Sequence, residues 1–289
     1  MEIFELRYFL GVARDENIHR ASEKLHVSPA SLSKAIARLE SELGVSLFSR
    51  EGRQIRLTDQ GRLFQKRAAE IVQLEESARL ELSGQEGTIQ IVIAGPEILL
   101  SEMGVSVSEQ LKGKYPKSRF EFHAVTDEDA LAQVSSGGAH LALVTSDLPA
   151  QSGLSAKVLS EARFQTVVGK NHPLCSSARA KKTIPVERVL EHPFVSPSLP
   201  LLGQVGIKQS LDGWRDDQFP RRVEYLASSL KLLEELVVRG KAVAYLPDYL
   251  CARLEVEVLR ITGCPYTCVQ KVRIVAKNPK NRSWLNHWF

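Results

Sequence analysis

Apolar residues near the start of the chain repeat at intervals of three and four: Phe9 and Ala13, Ala21 and Leu25, then Leu32, Ile36, Leu39 and Leu43. This spacing puts each group on one face of a helix. His26-Val27-Ser28 supplies a short polar turn. Ser28 is placed to cap the following helix, Pro29 takes its first position, where a missing N–H does no harm, and Gly44 closes it. Ser33, Lys34, Ala37 and Arg38 fall away from the apolar stripe. Two short helices joined by a tight turn, the second with small and basic residues outward, form a helix-turn-helix able to enter a DNA major groove.

Leu47-Phe48-Ser49-Arg50 and Ile55-Arg56-Leu57 read as short strands around a Glu51-Gly52 turn, a wing beside the helices. Thr58 then caps a third helical pattern, with Asp59 at its positive end. It runs unbroken to about Ser83, a length of about 39 Å. Phe64, Ile71 and Ala78 recur at sevens, with Leu74 between them and Leu63 and Leu82 nearby, while Arg67 and Glu81 interrupt a strict heptad. Such a seam, on a helix between two domains, is expected to bury against a partner. The alternative is packing on its own chain.

Ser83-Gly84-Gln85-Glu86-Gly87 marks a boundary, after which apolar runs alternate with helical patterns. Strands are expected at Ile89–Ala94, Phe120–Val125 and Leu141–Val144. A helix follows Gly95-Pro96 to about Lys114 and another spans Asp127 to Ser135. This βαβαβ order predicts a parallel sheet with helices on its faces. A second unit runs through Phe164–Val168, Phe194-Val195, Arg222–Tyr225 and Val243–Pro247. A late strand, Lys271–Ala276, has no place there and is expected to return to the first unit.

The 289 residues leave room for two or three cores, and 43% hydrophobic and 25% charged are ordinary globular values. No apolar run approaches the roughly 20 residues of a membrane span. The acidic start lacks the layout of a signal peptide, so a cytoplasmic location with no membrane partner is expected. A net charge of +4 does not by itself announce nucleic acid, although seven Lys/Arg stand against four Asp/Glu between Arg20 and Arg56, a local excess of three.

The residues Phe9, Ala13, Ala21, Leu25, Val27-Ser28, Leu32-Ser33, Ile36, Leu39-Glu40, Leu43-Gly44, Leu47-Phe48 and Arg50, continued by Arg53, Leu57-Thr58 and Gly61, resemble the LysR-type transcriptional regulators of bacteria. The likeness persists at Gly169–Leu174, His192–Val195 and Val237–Pro247, and so extends from about Phe4 to Trp288. The chain departs from the family at Glu16-Asn17, where Gly-Ser is preferred, at His19 in place of Thr and at Ser22 in place of Ala. Asn17 still caps a helix, so the departures are expected to alter phosphate contacts rather than the fold.

The resemblance implies an N-terminal all-α winged helix-turn-helix plus long linker helix, then an α/β two-lobed, periplasmic-binding-protein-like (type II) effector domain. Residues 1–58 would bind DNA, 59–87 form the linker and dimerisation helix, and 88–289 bind an effector. Lobe I would take about 88–162 and 268–289, and lobe II about 163–267. The resemblance also implies a dimer or dimer of dimers (a homotetramer) on double-stranded promoter DNA, an unidentified small-molecule effector between the lobes, and contact with RNA polymerase.

The candidate DNA contacts are Ser28, Pro29, Ala30, Ser33, Lys34 and Arg38 on the second helix, with Arg50 and Arg53 on the wing. Lys34 suits a guanine or a phosphate and Pro29 and Ala30 suit thymine methyls. The serines suit phosphates, and the arginines a phosphate or a narrow minor groove. The plain alternatives are a surface hydroxyl at Ser33 and a solvated hairpin.

Ligands of open α/β sheets bind beyond the carboxyl ends of the strands. Pro96, Glu97, Thr126, Thr145, Ser196, Ser198 and Ser228 stand at those ends and are the candidate effector contacts. Hydroxyls and helix N-termini suit a small polar or anionic effector. Glu97, where the family often has a hydroxyl, would repel a carboxylate and favour a neutral or cationic one. Each hydroxyl alone also reads as an ordinary helix cap. Leu199-Pro200-Leu201-Leu202-Gly203 is apolar enough to fill the cleft, which would fit a ligand-independent regulator.

Cys264 and Cys268 raise a redox-responsive alternative, which needs two thiols that meet and one lowered pKa. The plain reading of these two, and of Cys175 and Cys251, is reduced thiols, partly buried. The cysteines lack zinc spacing and the seven histidines are scattered, so no metal or cofactor is expected. G-x-S-x-G, H-E-x-x-H, P-loop and G-x-G-x-x-G patterns are missing, which argues against an enzyme.

Overall fold

The computed structural model describes residues 1–289 apart from 52–53, 84–89, 150–151, 204–209, 280–282 and 286–287. Helices α1 (Ile3–Asp15), α2 (Ile18–Leu25) and α3 (Pro29–Leu43) pack around Leu6, Phe9, Val12, Ala21, Leu32 and Leu39, all buried. Their ends follow the local chemistry. Asn17 Oδ1 accepts the Arg20 N–H and Ser28 Oγ the Ser31 N–H, both at 3.0 Å, and Gly44 closes α3 at φ +68°. Strands β1 (Phe48–Glu51) and β2 (Gln54–Leu57) pair antiparallel as the wing. The Glu40 carboxylate accepts the N–H groups of Leu47 and Phe48 at 2.7 and 3.0 Å, fastening the wing to α3. A Cβ at Gly61 would stand 2.0 Å from the Leu47 carbonyl oxygen, so only glycine allows this approach.

Helix α4 (Asp59–Ser83) opens with Thr58 Oγ1 accepting the Gly61 N–H at 2.9 Å. Phe64 meets Phe9 with ring centroids 5.0 Å apart, and Ala68 and Val72 close the same core. Phe64 therefore belongs to the head, not to the seam its heptad position suggested. On another face Ala69 touches Gly137, and Glu70 lies 3.2 Å from Lys277. Glu76 lies between Arg7 Nη1 at 2.9 Å and His140 Nε2 at 3.4 Å. Burial works against its charge, but His140 and Arg7 hold its carboxyl below the usual range. Over this stretch α4 packs on its own chain, while Leu63, Ile71, Leu74 and Leu82 stay exposed. The expected boundary at 84–87 lies outside the described residues.

Strands β3 (Gln90–Gly95), β4 (Arg119–Ala124) and β5 (Leu141–Val144) are parallel in the order β4-β3-β5. The helix after β3 runs as α5 (Glu97–Leu99), a π turn (Leu100–Gly104) and α6 (Val105–Lys114), and α7 (Asp127–Ser136) precedes β5. Strand β6 (Leu154–Gly169) is far longer than the Phe164–Val168 run that hydrophobicity marks. Its first part is only partly buried and carries no alternation to read. That part pairs with β13 (Val269–Lys277), and β13 also pairs with β5, returning to the first unit as expected.

The end of β6 pairs with β10 (Ala244–Pro247) and β11 (Val256–Val258), so one strand serves both lobes. Lobe II adds α8 (Cys175–Arg179), β7 (Thr183–Pro185), α9 (Val186–Leu190), β8 (Phe194–Pro197), β9 (Val223–Ala227), α10 (Leu230–Val238), α11 (Asp248–Arg253) and β12 (Arg260–Thr262). Strands β8 and β9 are parallel, and a Phe194–Val243 bridge sets them beside β10. The carboxyl ends of β3, β5, β8, β9 and β10 thus converge between the lobes.

Candidate nucleic-acid interface and interlobe cleft

The start of α3 turns outward. Ala30, Ser33 and Lys34 are exposed together, with Pro29 half-buried behind them. These residues come together because Leu32, Ala35, Ile36 and Leu39 hold the opposite face in the head's core. Ser28 is a cap first, with its hydroxyl also 2.8 Å from Ser31 Oγ, which places Ser31 beside the expected contacts although its sequence gave no signal. Arg38 Nε is 3.3 Å from Oε1 of the buried Glu5, so this guanidinium balances a carboxylate within the head. Arg56 of the wing pairs with Glu16, the residue that departs from the family's glycine. Arg53 lies outside the described residues, and of Arg50 only the backbone, in β1, is described.

At the interlobe cleft most of the expected hydroxyls have structural partners. Thr126 caps α7, accepting the Asp129 N–H at 3.1 Å and donating to its carboxylate at 2.8 Å. Oδ2 of the buried Asp127 accepts three bonds: from the Thr145 N–H at 2.8 Å, the Thr145 hydroxyl at 2.9 Å and the Ser146 N–H at 2.7 Å. Ser196 is buried, with its hydroxyl 3.4 Å from Asp212 Oδ2. Ser198, Ser228 and Glu97 are exposed at the rim, and Pro96 is buried at the start of α5.

The apolar loop does enter the cleft. Leu202 is fully buried, its carbonyl accepts from Gln270 Nε2 at 2.8 Å, and a Cβ on Gly203 would stand 2.6 Å from Thr145 Oγ1. Behind it Arg221 is buried between Asp212 (2.7 Å) and Asp216 (3.0 Å) and over the rings of Phe194 and Trp214. Burial works against this guanidinium's charge, but the two carboxylates raise its pKa all the same.

Arg253 of α11 reaches Glu102 in lobe I at 2.7 Å and Glu234 in lobe II, so one side chain ties the lobes. Among the described residues Asp127 Oδ1 and Tyr249 Oη are buried without hydrogen-bond partners. The Tyr249 phenol is pushed up by burial and by the carboxylates of Glu102, Asp248 and Asp127. Of these carboxylates, Glu102 is also paired with Arg253. Tyr249 and Arg221 escaped the sequence reading, whereas Asp127 stands with Thr126 at an expected strand end, an acid in the first turn of a capped helix.

All four cysteines are free thiols. Cys268 is buried and burial pushes its pKa up, while burial pushes Cys251 to about 12, opposite to what a redox switch needs. Among the described residues there is no group of three or more His, Cys, Asp or Glu able to hold a metal, and no helix long and apolar enough to cross a membrane.

Residues 3–62 match the profile described as "Bacterial regulatory helix-turn-helix protein, lysR family", and residues 84–283 match "LysR substrate binding domain". The chain is 29% identical over 252 residues to the transcriptional dual regulator GltC of Bacillus subtilis, covering 86% of this chain and 81% of that one. It is 36% identical over 122 residues to BsdA, an HTH-type transcriptional regulator of the same organism, across 42% of each chain. Among solved structures, full-length OxyR of Pseudomonas aeruginosa aligns with a TM-score of 0.69 at 20% identity, over 96% of this chain and 89% of that one. Full-length CbnR in complex with its target DNA aligns with a TM-score of 0.57 at 19% identity, over 100% and 97%.

Proposed function

The chain belongs to the LysR family of bacterial transcriptional regulators, and we propose that it reads promoter DNA as an oligomer and answers to a small molecule held between its two lobes. The observation that carries the DNA reading is the joint exposure of Ala30, Ser33 and Lys34 on the first turns of α3, the turns that meet base edges in this motif. The wing arginines and Ser28 add backbone contacts that set register. Leu63, Ile71, Leu74 and Leu82 on α4 supply an apolar stripe for a second copy, giving a dimer or dimer of dimers. The protein acts in the cytoplasm without catalysing a reaction of its own, and contact with RNA polymerase follows DNA binding.

The effector would bind at the strand ends, where Pro96, Glu97, Thr126, Thr145, Ser196, Ser198 and Ser228 stand. Exposed Glu97 favours a neutral or cationic compound. Operator duplexes selected from a random pool test the head: Lys34→Ala is expected to relax discrimination at one base position at a cost of about 1–3 kcal/mol. Unchanged affinity and sequence preference would remove α3 from the interface. Burial of Leu202 supports a second reading, a regulator whose cleft is filled by its own loop. A thermal-shift screen of the full chain separates them, since a ligand at about 100 times its Kd adds roughly 2.7 kcal/mol. Silence across a broad set of amines and neutral metabolites would favour the self-filled cleft.

A further inference from the structure

Lobe II holds a cavity of about 170 Å³ whose lining includes none of the strand-end residues expected at the interlobe cleft. Five of its lining residues are rings: Phe164 of β6, Tyr245 of β10, Trp214 and Phe219 of the β8–β9 connection, and Tyr266 of the loop before β13; aliphatic and polar side chains complete the wall. Trp214 and Tyr245 meet edge-on at 5.3 Å, Phe164 and Tyr245 lie 5.5 Å apart, and Trp214 and Phe219 are edge-on at 6.5 Å. The polar ends of the two central rings are spent on backbone. Trp214 Nε1 donates to the Phe219 carbonyl at 2.8 Å, and Tyr245 Oη accepts the Cys268 N–H at 2.7 Å. The walls are thereby fixed before any ligand arrives, which removes an ordering cost from binding.

Size and chemistry select the occupant. An enclosed apolar cavity of about 150 Å³ accommodates benzene, so this open, partly polar one has room for a single ring. Rings on several sides favour edge-to-face and offset contacts with a planar π system over a saturated one. At the wall, Arg215 lies 5.5 Å over Tyr266, with Nε and Nη2 held by Asp217 at 2.7 and 2.5 Å. Among the described residues Nη1 has no partner, and its N–H groups remain to donate. We propose that the cavity is a second small-molecule site, distinct from the interlobe cleft, for a single-ring aromatic compound bearing an oxygen acceptor. Its walls include β6 and the loop leading into β13, the two strands that run between the lobes, so an occupant bears on the hinge.

Cys264 gives the experiment its handle: it lines the cavity and is half-buried, whereas the other three cysteines are buried. The full chain is alkylated with iodoacetamide in the presence of benzoate, phenol or acetate, and Trp fluorescence is followed in parallel. Benzoate or phenol is expected to slow Cys264 alkylation at least tenfold and saturably, with an affinity of about millimolar or better for so few atoms, while acetate does nothing. Thr267→Phe, at an exposed rim position of the cavity, is expected to weaken that protection tenfold or more without lowering the melting temperature. The inference is overturned if the ring compounds give no protection, if acetate protects equally, or if Thr267→Phe leaves protection intact.

Discussion

Ala69 of α4 occupies the space that any side chain at Gly137 would need, since an ideal Cβ there would stand 2.1 Å from the Ala69 Cβ. Gly137 closes α7 in lobe I with φ +82°, so the position excludes other residues for two separate reasons. The contact joins the linker helix to the effector domain of the same chain. About two turns further along α4, Glu76 joins Arg7 of the head to His140 of lobe I. These contacts fasten lobe I to the helix that carries the head.

Gly137→Ala is expected to destabilise the chain by about 2–4 kcal/mol. Roughly 1 kcal/mol comes from a left-handed backbone and about 1–3 from overpacking against α4. Pairing it with Ala69→Gly should recover the overpacking part only. Urea unfolding of both single variants and the double variant measures this as a coupling energy of about 0.5–3 kcal/mol. Strict additivity would mean that the two helices are not in contact in solution.

Glu16 sits at φ +43° after α1 and pairs with Arg56 across to the wing. Glu16→Gly removes a left-handed non-glycine residue and one partner of Arg56. Stability should hold or rise by about 0.5–1 kcal/mol. If Arg56 then turns to a phosphate, the slope of log K against log salt steepens by about 0.9. Equal slopes for the two proteins would show that Arg56 stays off the DNA.

What was legible in the sequence was local. The caps at Asn17 and Ser28, the stop at Gly44 and the outward face of α3 depend on residues within one or two turns of each other. Phe64 was misplaced because its partner, Phe9, comes from a different helix that no heptad count includes. The first part of β6 was invisible because its partly buried faces lack the alternation that marks a strand. Arg221 and Asp212 lie in a stretch that reads as polar loop, and only the fold brings them together in the interior. In the apolar Leu199–Gly203 loop Leu202 is buried but Leu199 is exposed, a division that composition alone does not specify.

Asp127 Oδ2 gathers two backbone N–H groups and a hydroxyl from the end of β5, while Oδ1 has no partner among the described residues. Asp127→Ala leaves those donors buried and unmet, an expected loss of about 3 kcal/mol. Asp127→Asn keeps one accepting oxygen, with its amide on the unpartnered side, and should cost only about 1–2 kcal/mol. Chemical denaturation of the two variants compares them directly. Equal losses would locate the effect in the charge rather than in the three hydrogen bonds.

His172 is buried 4.8 Å from the His192 ring and accepts the Leu174 N–H at Nδ1, 3.2 Å away. Burial, then the neighbouring His192, lowers its pKa from 6.5 to about 4. Between those values the unfolded chain binds a proton that the folded chain does not, so stability falls as pH drops through this window and is unaffected above it. The full effect is at most about 3 kcal/mol. His172→Asn keeps an acceptor for Leu174 but cannot titrate, so its urea midpoint should change less than that of the parent between pH 6.5 and 5, above the range where most carboxylates titrate. Parallel profiles for the two proteins would assign the acid sensitivity to other groups.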